Sequence, residues 1–194
     1  MGGKTYDDVT AFHGHVCPGS ALGYRVAMKA MEWLDANRAL DEEIVAVVEN
    51  DSCAVDAVQV VTGCTFGKGN LVYRDTGKRV YTFFNRATGS GIRIVEDYRG
   101  FDTDEFAALR KKLGDGSATD EDRELFRNFR LKRIDDILTI PYEDFLSWGD
   151  PVGELPPKAQ IHETLVCDEC GEKMMSTRAV RKDGKVFCAD CAGK

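Results

Sequence analysis

Long hydrophobic runs are missing from this 194-residue chain. No uninterrupted apolar stretch approaches the roughly 18 residues that a membrane-spanning helix needs. The opening MGGKTYDDVTAF also lacks the charged-then-apolar order of a secretory leader. We therefore expect no membrane association and a cytoplasmic location. Positive charge is in short supply as well: 26 Lys and Arg stand against 33 Asp and Glu, a net charge of −7. That balance argues against a whole-protein attraction to nucleic acid or anionic lipid. There is no internal repeat, no low-complexity segment, no full phosphate-loop pattern and no ferredoxin-type iron–sulfur motif.

What is present is ordinary globular material. Hydrophobic residues make up 43% and charged residues 30%, which excludes disorder as the dominant state. The length allows one domain of about 150 residues with a small appendix, or two small domains. Seven cysteines are many, and the number is odd. Without a leader, closely spaced cysteines read as metal ligands or reactive thiols rather than a disulfide framework.

Four of them crowd the C-terminal end. Cys167-Asp-Glu-Cys170 and Cys188-Ala-Asp-Cys191 are two Cys-x-x-Cys pairs whose separation fits a structural tetrathiolate zinc site. Four thiolates close a tetrahedral shell and leave no position for a substrate. Zinc here substitutes for a core that so short a segment cannot build, so the segment should be unfolded without metal. Between the pairs, Asp183-Gly184 signals a type I′ hairpin turn, and the second pair opens a short helix. The order is that of a treble-clef or ribbon finger. From Cys167 to Lys194, six basic residues face five acidic ones. So even a charge balance makes contact with protein, or simple stabilisation, the better reading than nucleic-acid binding.

Gly149-Asp-Pro151-Val-Gly-Glu-Leu-Pro156-Pro157 can neither continue a helix nor sit in a central strand. It divides the chain into a core at 1–150, a linker at 151–162 and a finger at 163–194. In the core we expect a short helix at 7–12 and a second from Pro18 to about Asp35, carrying Leu22, Val26, Ala30 and Trp33 on one face. Gly19, Gly23 and Ala27 form a small-residue row that admits a close neighbour. Ile44–Val48 reads as a buried strand. Asp51-Ser52 caps a helix from Cys53 to Thr62, ended by Gly63. Runs at 71–74, 79–85 and 91–96 read as an antiparallel meander. Two helices follow, capped by Thr103 and by a Thr119/Asp122 capping box. Strands grouped apart from helices indicate an α+β core with an antiparallel sheet and packed helices.

His13-Gly-His15-Val-Cys17 gathers two of the three histidines and a cysteine within five positions. In an extended loop, alternate residues share a face about 7 Å apart. Cys17 also precedes Pro18 at a helix N-terminus, where unpaired N–H groups favour a thiolate. His15 and Cys17 suit either a metal shell or a nucleophile with its base. Cys53, at another helix start, is a third ligand, and Asp56 one turn on is a ligand or an orienting partner. Eleven helical residues would place Cys64 roughly 16 Å from Cys53 along the axis, so we read it as a buried or separate thiol. Gly67-Lys68-Gly69-Asn70 reads as a turn rather than an anion cradle. Tyr24 and Arg25 either face the pocket or run their stems along it.

At His13 to Arg25 (HGHVCPGSALGYR) and Asp51 to Asn70 (DSCAVDAVQVVTGCTFGKGN) the chain resembles the FmdE family of formylmethanofuran dehydrogenase proteins, some members of which carry a C-terminal zinc finger. The resemblance implies a dimeric α+β core with a treble-clef-like finger, and a site at His15, Cys17 and Cys53, with His13 and Cys64 as weaker candidates. The namesake complex is a molybdenum or tungsten enzyme whose redox subunits are other chains. Two readings follow. In one, the chain is a zinc protein with a second transition metal, of undetermined identity, or a reactive Cys17 with His15 as its base. In the other, it is a non-catalytic accessory or metal-delivery protein beside a molybdenum or tungsten oxidoreductase.

Overall fold

A computed structural model describes residues 3–100 and 103–193. The chain divides into two compact units, Met1–Lys158 and Ala159–Lys194.

In the first unit, β1 (Ile44–Val48) is five successive apolar residues, all buried. A strand buried on both faces belongs in the middle of a sheet. It pairs in parallel with β2 (Leu71–Tyr73) and antiparallel with β3 (Val80–Asn85); β4 (Gly91–Glu96) and β5 (Leu146–Gly149) continue the antiparallel side. The order is β2-β1-β3-β4-β5. The meander expected at 71–96 is thus corrected at its first strand. Residues 49–70 hold a helix, and a helical crossover is what allows two strands to pair in parallel, so β2 joins β1 rather than β3. The strand β5 adds an edge that the residue pattern does not signal.

One sheet face carries Ile44, Ala46, Val48, Phe83, Ile92 and Ile94 into the main core, under the helices. The other carries a small cluster of Val45, Val47 and Phe84. The helices are α1 (Tyr6–His13), α2 (Pro18–Trp33), α3 (Ala54–Thr62), α4 (Asp104–Gly114) and α5 (Asp120–Thr139). Capping fixes their ends. Thr5 and Asp8 form a capping box on α1, Thr119 and Asp122 form one on α5, and the Thr103 hydroxyl accepts the Phe106 N–H. On α5, Ile134 and Ile137 are buried, Arg133 and Asp136 are half-buried and paired with each other, and Asp120, Glu121, Arg123, Glu124, Arg127, Lys132 and Asp135 are exposed.

The small-residue row does what its spacing implies. A methyl group added at Gly23 would fall within 2.7 Å of three backbone atoms of Ala54, and one at Gly19 would lie 3.1 Å from the Cys53 Cβ. Here α2 and α3 pack almost backbone to backbone. The buried stripe of α2 runs through Gly23, Val26, Ala27 and Ala30, and Trp33 stays half-exposed. Arg25 does not reach the site. Its guanidinium donates to the carbonyls of Ile137 (2.5 Å) and Ile140 (2.7 Å) and lies over the Tyr142 ring, closing the C-terminus of α5. Tyr24 packs on Tyr6.

In the second unit, β6 (Thr164–Val166) pairs with β7 (Lys173–Met175), and β8 (Val180–Lys182) with β9 (Lys185–Phe187), before α6 (Ala189–Ala192). Asp183 and Gly184 both have positive φ, 51° and 76°, the requirement of a type I′ turn. Among the described residues no helix is long and apolar enough to cross a membrane.

Candidate metal centres

In the finger, the four sulfurs of Cys167, Cys170, Cys188 and Cys191 lie within 4.8 Å of one another. The Cys170 and Cys188 sulfurs are 4.0 Å apart. A tetrahedral zinc with Zn–S near 2.3 Å requires about 3.8 Å between sulfurs, so the donor set fits the ion. Backbone N–H groups, first that of Cys170 and then that of Cys188, aim at the Cys167 sulfur and bring its thiol down to about 6. Crowding against Cys188 pushes the Cys191 thiol up to about 12. A divalent cation resolves that crowding by taking all four as thiolates. Asp168 fastens the knuckle to the second hairpin: its carboxylate accepts the Val186 N–H at 2.6 Å and its own N–H donates to the Val186 carbonyl at 2.8 Å.

The core cluster is His13, Cys17 and Cys53, whose ligand atoms also lie within 4.8 Å of one another. The histidine differs from the one favoured by the sequence pattern. The helix α1 runs through His13, and Gly14 then closes it at φ 86° with its N–H on the Thr10 carbonyl, so residues 13 to 17 are not one extended strand with alternating faces. His13 Nε2 comes to 3.6 Å from the Cys17 sulfur, and Nδ1 to 2.7 Å from Asp56 Oδ2. His15 is exposed and lays its ring on that of His13, 4.4 Å between centroids. The signal that finds His13 is its place in the last turn of α1, beside Asp56 on α3.

Cys17 is buried at the N-cap of α2, as expected. Burial raises its thiol, but the Ser20 hydroxyl at 3.5 Å, then the Ser20 N–H at 3.3 Å, outweigh that and leave it lowered. The fully buried Ser20 is itself held by the Tyr6 hydroxyl at 3.0 Å. Cys53 sits one residue before α3, and burial followed by the Cys17 charge raises its thiol. The Asp56 hydrogen bond raises His13. Asp56 is held on its other oxygen by the Gln59 amide.

Cys64 lies elsewhere. It is fully buried, donates to the Ile44 carbonyl at 3.3 Å, and is pushed by burial up to about 11. The Gly67–Asn70 loop is a clamp: Lys68 Nζ donates to the Asp41 carbonyl at 2.7 Å and buried Asn70 to that of Ile44 at 2.8 Å. Beside the core cluster opens a cavity of about 440 Å³, lined by His13, Cys53 and Asp56 together with Asp51, Phe66 and Tyr73 among others. That volume is within the range of small-molecule sites.

The fold and the four-cysteine cluster define a zinc-binding α+β protein with an appended C4 finger. The family model described as FmdE, molybdenum formylmethanofuran dehydrogenase operon, matches residues 12–147, and that of the prokaryotic dksA/traR C4-type zinc finger matches residues 162–194. The chain belongs to the FmdE family. It is 37% identical over 190 residues to an Archaeoglobus fulgidus protein called "Probable S-adenosyl-L-methionine-binding protein", a match covering 94% of this chain and 50% of that protein. The chain therefore spans about half the length of this relative. A tungsten formylmethanofuran dehydrogenase FmdE-like protein from Syntrophus aciditrophicus has the same fold, with a TM-score of 0.59 at 24% identity over 100% of this chain and 97% of that one.

Proposed function

We propose that the core of this protein is a second metal centre, distinct in kind from the finger. His13 Nε2, Cys17 Sγ and Cys53 Sγ would hold the ion, and the fourth position would open on the cavity. The observation that carries this is the 3.6 Å between His13 Nε2 and the Cys17 sulfur with Asp56 2.7 Å behind the ring. One imidazole and one thiolate on a tetrahedral ion sit about 3.6 Å apart, and a metal-ligating histidine characteristically gives its other N–H to a carboxylate. Three protein ligands with one open position is the pattern of catalytic rather than structural sites. The chemistry such an ion supplies is Lewis-acid polarisation of a substrate donor atom. The chain's own part is positional. Asp56 keeps the His13 proton on Nδ1 and so frees Nε2, while Ser20 and Tyr6 hold the Cys17 sulfur in place.

Elemental analysis of protein purified without chelators or an immobilised-nickel column tests this. Two metal ions per chain are expected, falling to one in Cys17→Ser with the finger ion retained. One ion per chain in the parent overturns the proposal. The line Asp56–His13–Cys17 supports a second reading for that outcome, a nucleophilic thiolate with His13 as base and Asp56 as orienting group. Cys17 would then react with iodoacetamide faster than Cys64. The family's operon description supports an accessory or metal-delivery role beside a molybdenum or tungsten oxidoreductase, read by transfer of the core ion to such an apo-enzyme. Binding of S-adenosyl-L-methionine belongs to a relative twice as long. Only saturable binding of that ligand by this chain alone would bring the property to it.

A further inference from the structure

The wall of the core cavity has a one-sided chemistry. Its lining includes two carboxylates, Asp51 and Asp56, and two aromatic rings, Phe66 and Tyr73, and it includes no lysine or arginine. Lys68, two residues after the lining Phe66, places its ammonium on the carbonyls of residues 39–41. In the centre proposed above, the thiolates of Cys17 and Cys53 cancel the charge of a divalent ion, and what remains on the wall is negative. Asp56 shares its charge with His13 and Gln59. The Tyr73 hydroxyl is raised above its ordinary value first by its hydrogen bond to Asp75, outside the wall, then by burial, and after these by the charge of Asp51.

The start of α3 borders the same space and could offer N–H groups to an anion. Its first donors are already engaged within the turn: the Ala54 N–H meets the Ser52 hydroxyl at 3.4 Å and the Val55 N–H the Ser52 carbonyl at 3.0 Å. Phe66 is 78% exposed beside the cavity. An aromatic face beside carboxylates attracts a cation.

We propose that this cavity takes a small organic cation, an ammonium group on an apolar or ring-bearing body, and discriminates against phosphorylated and carboxylate-bearing molecules. The cation lies against Asp51, and the body against Phe66, Tyr73 and the apolar floor of Val55 and Leu71. This deepens the metal-centre reading and rests on it for the cavity's being a ligand site.

Isothermal titration of the full chain with 2-phenylethylamine, 3-phenylpropan-1-ol and 3-phenylpropanoate tests it, because the three share a body and differ in charge. The ammonium compound should bind about tenfold more tightly than the carboxylate, equivalent to about 1.4 kcal/mol. Asp51→Asn should bring the two within about twofold of each other. Equal or tighter binding of the carboxylate, no binding of any of the three, or a preference unmoved by Asp51→Asn overturns the proposal. Metal content measured on the same samples separates the two ideas. A loaded core without cation preference overturns the ligand class alone, and a cation preference in a core without its ion overturns the metal centre alone.

Discussion

Replacing Gly23 by alanine tests the contact that brings the two cysteine-bearing helix starts together. Taken alone, the substitution should stabilise, because alanine is better than glycine in a helix interior by about 1 kcal/mol. The packing opposes this. The new methyl would lie within 2.7 Å of the Ala54 backbone, whereas carbon contacts sit at roughly 3.5–4.0 Å. No rotamer change can relieve a clash against main chain, so α2 and α3 must part by about 1 Å. Overpacking costs about 1–3 kcal/mol, and a clash that only a shift of main chain can relieve belongs to the upper half of that range, about 2–3 kcal/mol. The net loss is about 1–2 kcal/mol, which for a chain of this size lowers Tm by roughly 2–8 °C. Thermal denaturation followed by circular dichroism reads the first effect. Chelator competition for the proposed core ion reads the second, since Cys17 and Cys53 stand at the starts of the helices that separate. A Gly23→Ala protein as stable as its parent, or more so, would refute the close-packing argument outright.

Three further outcomes follow from the same geometry. If the proposed core centre holds its ion, Asp56→Asn should weaken that affinity about 10- to 100-fold while leaving the far-ultraviolet spectrum unchanged, because it removes the carboxylate bonded to His13 Nδ1; equal affinity in a metal titration would count against the orienting role. Stripping zinc with a strong chelator should unfold residues 159–194 but not the sheet unit, visible as loss of amide protection confined to the finger in hydrogen exchange. Glu96 is buried, and burial raises its carboxyl above the ordinary value of 4.5, with the Tyr98 N–H pulling back. A raised carboxyl stabilises most when protonated, so its contribution is complete below about pH 4.5 and is lost as pH rises through the folded value. Glu96→Gln should therefore flatten the fall in Tm between pH 4.5 and 7 relative to the parent, and parallel curves would show the burial to be of no consequence.

Much of this architecture is legible in residue spacing. The finger can be read from its two cysteine pairs and Asp183-Gly184, because metal geometry and a two-residue turn are local constraints. The Gly19, Gly23, Ala27 row foretells the close approach of α2 and α3, and Thr119 with Asp122 marks the start of α5. Where reading by spacing misleads, the deciding contact is between residues far apart in the chain. His13 looks like a loop residue, yet α1 runs through it to the Gly14 cap, and its preference over His15 depends on Asp56, 43 positions away. Leu71–Tyr73 looks like the first strand of a meander because strand propensity does not say which neighbour a strand pairs with, and the helix at 54–62 decides that. Arg25 looks available to a site because its partners, the carbonyls closing α5, lie more than a hundred residues downstream.

The residues that line the cavity or offer a core ligand all fall between His13 and Tyr73. The remainder of the first unit acts as a chassis, and its α4–α5 hairpin turns through an exposed, glycine-bearing segment at residues 115–117. A turn of that kind accepts inserted peptide with little effect on what it joins. It offers a point at which a dye, an affinity handle or a surface linker can be attached with every residue of the chemistry left as it is.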